Sequence, residues 1–157
     1  MVELFEKFDS EKYDYYNGLG QNILFADTSG NIGYRMLMTI PERKDKTPFI
    51  GSRVLDGTTT NFDWVIHCDD KGERLCNPWN GERGRQMVIP QRDLPKSLNP
   101  KKGYLVTANG RQTSDHAIND YGASINSPGR VLRINEMLSE GVNSGKKFTL
   151  ADMGAIQ

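Results

Sequence analysis

The apolar residues of this chain come in short runs separated by long polar stretches, and the runs define a small set of elements. Val2, Leu4, Phe5 and Phe8 predict a short helix over residues 2–8. The stretch YDYYNGLG (13–20) breaks that pattern with Asn-Gly and reads as loop. QNILFADTSGNIGYRMLMTI then predicts a β-hairpin. Its first arm covers residues 22–26, its turn 27–30 and its second arm 31–40. Both arms are nearly continuous apolar runs, the pattern of strands covered on both faces.

Residues 41–103 are polar and broken by Pro and Gly. VIHCDDKGERLC and PWNGERGRQ are excursions within them, before VIPQRDLPKSLNP resumes an ordered pattern. Region 41–89, which holds both cysteines, is loop-rich and insertion-like. Residues 103–108 predict a strand that runs into Asn109-Gly110, the strongest two-residue hairpin signal. SINSPGRVLRINEMLSEG is the clearest helix: Ser127 caps it, Pro128 takes its first position and Gly141 follows its end. Val131, Ile134, Met137 and Leu138 form its apolar face. TLADMGAIQ starts another helix, with Thr149 and Asp152 spaced as a capping box. The apolar pattern is still running at residue 157, so the expectation is one partial domain over 1–157, cut from a larger chain.

Composition narrows the function classes. The apolar share is 36%, with 16 Gly and 7 Pro, which implies a thin core and many turns. Lys plus Arg and Asp plus Glu are 20 each, so no global field selects nucleic acid or an anionic membrane. No segment approaches the ~18 consecutive apolar residues of a membrane span. The acidic, amphipathic start MVELFEKFDSEK lacks the basic and apolar regions of a signal peptide.

Several candidate chemistries fall on spacing. Ser114-Asp115-His116 holds the residue types of a hydrolytic triad, but adjacent side chains diverge and cannot reach one another. His67, Cys68 and Cys76, with Asp69 or Asp70, could ligate zinc, yet the spacing matches no common pattern. A short disulfide loop and two free thiols fit the cysteines equally well, and Asp69, Asp70 and Glu73 read most simply as a solvated loop. The glycines of GLGQN and SGNIGY lack the strand–GxGxxG–helix setting of a dinucleotide site. Asn109 taken alone is a turn residue. Arg130 sits in a helix's first turn, against the helix dipole, which hints at another role.

Four collinear segments resemble the penicillin acylase (penicillin amidase) family: QNILFADTSGNIGY, IPQRDLPKSLNPKKGYLVTANGR, SPGRVLRINEML and FTLADMGAIQ. The patterns they resemble run roughly NxxYADxxGNIGY, IPFxxLPxxxNPxxGYIxTANN and RxxRIxxLL, from the middle of the family's β-chain. The resemblance implies an α+β fold, part of an αββα N-terminal-nucleophile hydrolase sandwich that this chain would only partly supply. It implies hydrolysis of a linear carbon–nitrogen amide by an N-terminal Ser, Cys or Thr whose own α-amine is the base. Asn109 falls on the family's oxyanion-hole donor and Arg130 on the Arg that organises the amine and the Asn. The family's second Asn is Gly110 here.

Asp120 falls near a position that binds a structural calcium in some relatives, while catalysis itself requires no cofactor. The implied partners are a small-molecule acyl amide and the remainder of the acylase, meaning its nucleophile-bearing segment and α-chain. Neither nucleic acid nor membrane is implied. The chain opens Met1-Val2-Glu3 and offers no N-terminal nucleophile, so this span alone is expected to be inactive. A non-catalytic relative, acting as a binding or structural module, is the alternative.

Overall fold

The computed structural model describes residues 2–7, 20–47, 53–69, 71, 74–76, 84–108 and 129–156. In chain order the elements are α1 (Val2–Lys7), β1 (Gln21–Ala26), β2 (Ile32–Leu37), β3 (Ile66–His67), β4 (Arg85–Gln86), a 3-10 turn (Gln91–Asp93), β5 (Lys96–Leu98), α2 (Gly129–Asn143) and α3 (Leu150–Ile156). Helices and antiparallel sheet are mixed, an α+β arrangement.

The predicted hairpin is present, with β1 antiparallel to β2 from Gln21↔Leu37 to Ala26↔Ile32. β5 adds antiparallel to the far side of β2, which makes β2 the centre of a three-stranded sheet, β1-β2-β5. That placement corrects the expectation that both arms are covered. Residues 33–37 of β2 are all buried, whereas β1 is exposed at every position but Phe25. An apolar run shows what a strand is able to bury; its place in the sheet decides what it does bury.

The two faces of β2 hold different chemistry. Tyr34 and Met36 join Ile40, Ile89 and Leu94 in the buried core, with Met38 and Leu105 packed against it. The Tyr34 hydroxyl donates to Asn22 Oδ1 at 2.7 Å, and burial pushes its pKa up to about 12. On the opposite face Gly33 lets the Phe25 ring lie directly over the strand, where a Cβ would strike it. Phe25 meets Phe5 of α1 with centroids 5.7 Å apart. Arg35, only 3% exposed, reaches from the same face to α1 and to the 3-10 turn. Its Nη1 donates to the Phe5 carbonyl at 3.1 Å and its Nη2 to the Gln91 carbonyl at 3.0 Å. One buried guanidinium therefore ties three segments that are far apart in sequence.

The insertion-like region 41–89 contains an ordered β-network among its described residues. Past the end of β2, residues 40–44 bond to 87–89 on one side and to 63–65 on the other. The links are Glu42 N to Met87 O, Ile89 N to Ile40 O, Val65 N to Glu42 O and Lys44 N to Asp63 O. β3 pairs with β4, and an isolated bridge joins His67 to Leu75. The predicted strand at 103–108 is not formed. Asn99 takes φ 47°, a turn closed by Gly103 N to Pro100 O at 2.9 Å follows, and residues 104–107 run on outside any ladder. Polar Lys96-Ser97-Leu98 takes the sheet position instead.

α2 extends two residues past Gly141, the predicted stop. Its C-terminal cap is Gly145 at φ 75°, with Gly145 N to Val142 O and Lys146 N to Gly141 O, the paired bonds of a Schellman motif. Gly141 serves another purpose: a Cβ there would run into the Phe148 ring. Gly141→Ala is accordingly expected to destabilise the protein by about 1–3 kcal/mol, measurable as a lower denaturation midpoint at unchanged m-value. Ser127 and Pro128, the predicted start of this helix, lie outside the described residues. The capping box of α3 is formed as predicted: Asp152 N donates to Thr149 Oγ1 at 3.3 Å, and Thr149 N to Asp152 Oδ2 at 2.8 Å.

Candidate functional site

The residues that carry the family patterns are brought together by hydrogen bonds. Asp27 Oδ1 accepts from the backbone amides of Ser29 and Asn31, both at 3.0 Å. The Asn31 amide nitrogen donates to both Asp27 oxygens, at 3.2 and 3.0 Å. Asn31 Oδ1 in turn accepts from Asn99 Nδ2 at 2.9 Å, across 68 residues of sequence. Asn99 completes the link by exchanging bonds with Ile32: Ile32 N to Asn99 Oδ1 and Asn99 N to Ile32 O, both 2.9 Å. Two separate motif segments thus form one structure, Asp27–Asn31–Asn99, which binds the β1–β2 turn to the end of β5. The short polar side chain of Asn suits a left-handed residue better than most, which explains Asn at position 99.

Hydrogen bonding from Asn31 is the main cause that holds the Asp27 carboxyl below its ordinary value of 3.8. A group with a depressed folded-state pKa contributes stability above its unfolded pKa and loses it as pH falls through the folded value. The turn is therefore expected to stay intact down to pH 3.8 and to loosen below it. A carboxyl 13C titration of Asp27, followed alongside the Asn31 amide shift, checks this.

From Asn99 the chain leads toward the predicted oxyanion donor. The Pro100–Gly103 turn reverses it, Leu105 anchors on the sheet core, and Ala108 is the last described residue before Asn109. Asn109 itself lies outside the described residues, as do Gly110, Asp120 and Ser114-Asp115-His116. Arg130 is described: it lies exposed in the first turn of α2, a turn without an acidic residue. The pairing of Arg130 with Asn109 expected from the sequence is therefore not among the described contacts.

The zinc reading is closed by the cysteines. Cys68 and Cys76 form a disulfide with Cα atoms 5.1 Å apart, and Cys76 is 5% exposed. Oxidised sulfur offers no thiolate to zinc. The disulfide straps the loop that leaves β3, whose backbone is held by Cys68 N to Arg74 O and Cys76 N to Ile66 O. Gly84 passes so close to Cys76 Sγ and the His67 carbonyl that a Cβ would clash with both. Asp70 and Glu73 lie outside the described residues. Among the described residues no group of three His, Cys, Asp or Glu is placed to hold a metal ion. None of the described helices is long and apolar enough to cross a membrane.

Sequence reasoning missed Arg35 and Gln91. Arg35 sits in an otherwise apolar strand, a break in pattern that could have marked it. Gln91 stands where the resembled pattern IPFxxLP has Phe, and its Nε2 donates to Met38 O at 2.6 Å inside the core. That departure was legible as a polar residue entering a buried position.

The geometry defines a mixed helical and antiparallel-sheet protein whose motif residues join its turns. The chain belongs to the penicillin amidase family, whose profile matches residues 5–157. The match runs through region 41–89 and includes all four segments on which the resemblance was drawn. A search of curated proteins finds no match. At the level of the family this is an acylase-like amidohydrolase.

Proposed function

We propose that this chain is part of an amidohydrolase that cleaves a linear acyl amide with an N-terminal nucleophile lying outside residues 1–157. Family membership over residues 5–157 is the observation that carries the reading. The parent fold is an αββα sandwich, to which the β1-β2-β5 sheet and the helices described above contribute. In the reaction, the hydroxyl or thiol of the N-terminal residue attacks the amide carbonyl carbon while its proton moves to the α-amine. The carbonyl oxygen becomes an oxyanion, to which Asn109 Nδ2 donates. Collapse of this intermediate breaks the carbon–nitrogen bond and the leaving amine takes the proton. Water then hydrolyses the acyl-enzyme.

Arg130 acts on the base. A cation near the α-amine disfavours its protonation, which keeps it competent at neutral pH. This chemistry needs no cofactor. Asp120 is the candidate ligand for a structural calcium, which takes six to eight oxygens, most of which would lie outside this chain. The partners are the acyl amide and the nucleophile-bearing remainder of the enzyme.

The test is turnover of an acyl p-nitroanilide by the purified full-length protein. Release of p-nitroaniline that disappears when the N-terminal nucleophile is replaced by Ala supports the reading. An inert protein with an intact N-terminus would favour the alternative of a non-catalytic binding module, in keeping with Gly110 where the resembled pattern has Asn.

A further inference from the structure

We infer that the Cys68–Cys76 disulfide is a redox-sensitive lock on the β-network of region 41–89, one that dithiols release while the β1-β2-β5 sheet stays folded. The network is held mainly by backbone hydrogen bonds. β3 and β4 share the pairs Ile66↔Gln86 and His67↔Arg85. An isolated bridge, His67↔Leu75, adds the returning chain at the other edge of β3. Val65 N to Glu42 O and Met87 N to Val65 O connect this unit to the chain that leaves β2.

Ladders this short need apolar burial to persist, because a small isolated hairpin is marginal in water. The network has little of it. Val54, Trp64 and Leu75 are all exposed. Ile40 and Ile89, at its two ends, belong to the core of the three-stranded sheet. Among the described residues between them, Cys76 alone is buried. Its sulfur is covered by Gly84, which passes too close to admit a Cβ, and is bonded to that of Cys68. The cystine therefore stands where the network would otherwise need a core.

Cys68 is half-buried, which makes its sulfur the more accessible of the two. A thiolate of a dithiol attacks Cys68 Sγ, the Sγ–Sγ bond breaks, and Cys76 leaves as a thiolate that takes up a proton. The second thiol of the dithiol then displaces Cys68 from the mixed disulfide. Two electrons have passed to the cystine, and the dithiol is left as a disulfide. The loop regains the freedom that the cross-link removed, and a ladder without a core has nothing to offset it. The main sheet is independent of the cystine, because its core of Tyr34, Met36, Ile40, Ile89 and Leu94 contains neither cysteine. The network is accordingly a local unfolding unit, closed in an oxidising compartment and open in a reducing one.

The test is amide hydrogen exchange on the full-length protein, as isolated and after treatment with dithiothreitol under native conditions, with free thiols titrated in parallel. Val65 and Met87 report on the network; Met36, bonded to Pro95 O, and Asn99, bonded to Ile32 O, report on the sheet. Reduction is expected to speed exchange at Val65 and Met87 at least about tenfold and at Met36 and Asn99 less than about twofold. Reoxidation should restore the slow rates. The double variant Cys68→Ser/Cys76→Ser should match the reduced protein, and the dithiothreitol-treated parent gives the same readout should that variant fail to fold. Unchanged exchange at Val65 and Met87 after full reduction would overturn the inference. So would equal acceleration at Met36 and Asn99, which would make the cystine a staple for the whole fold. Cysteines that stay oxidised in dithiothreitol, or rates that reoxidation does not restore, would equally rule out a switch.

Discussion

Replacing Asn109 by Ala in the full-length enzyme is expected to lower kcat about 10²–10³-fold while leaving KM nearly unchanged. The size follows from the chemistry assigned to the side chain. In the proposed role, the amide Nδ2 would meet the carbonyl oxygen only weakly in the bound substrate and strongly once that oxygen carries negative charge. Its loss raises the barrier by about 3–4 kcal/mol without weakening ground-state binding. Asn109→Asp should be at least as damaging, because a carboxylate would repel the developing oxyanion. Steady-state kinetics with an acyl p-nitroanilide, on variants whose far-ultraviolet circular dichroism matches the parent, decide it. A fall in kcat/KM produced by KM alone would place Asn109 in substrate binding.

The second large effect is on stability. Arg35→Ala is expected to destabilise the protein by about 4 kcal/mol. Truncation withdraws the donors from the Phe5 and Gln91 carbonyls, and it removes a long side chain from a site only 3% exposed. The guanidinium also lies 5.3 Å from the centroid of the Phe5 ring, so α1 loses a second tie to the sheet. Arg35→Met keeps most of the stem volume and loses only the polar ties, so roughly half the cost should remain. Denaturant unfolding of both variants measures the two contributions separately. Equal losses for Ala and Met would mean that the hydrogen bonds matter and the packing does not.

What the sequence made legible and what it hid can be traced to particular residues. Local signals were reliable. The Thr149–Asp152 capping box depends on residues three apart and is present as predicted. The turn at residues 27–30 is written in Asp27 and Gly30, the latter at φ 83°. Signals that depend on the far side of a contact were not legible. Gly141 has the sequence position of a helix stop, yet the Phe148 ring requires a glycine there and the stop falls to Gly145. The run 103–108 is the better strand by composition, but β2 pairs with Lys96-Ser97-Leu98. β1 is as apolar as β2 and remains mostly exposed.

The candidate site divides in the same way. The resemblance to penicillin amidases, drawn on four short segments, agrees with the family match across residues 5–157. It marked the segments that share the family patterns without indicating how they are joined. The bond from Asn99 Nδ2 to Asn31 Oδ1 spans 68 positions, and no periodicity or spacing rule reports such a contact. The cysteines were open between thiols and disulfide because eight residues of separation suit either state, and the structure pairs them.

The measurement that bears most directly on the central claim is the N-terminal sequence and intact mass of the mature protein that carries this chain, isolated from its natural source. The account predicts a mature chain whose first residue is Ser, Cys or Thr with a free α-amine, preceding the residues numbered here. A mature chain that begins with a residue lacking a hydroxyl or thiol would contradict it, for no N-terminal nucleophile would then exist and Asn109 would have no oxyanion to hold.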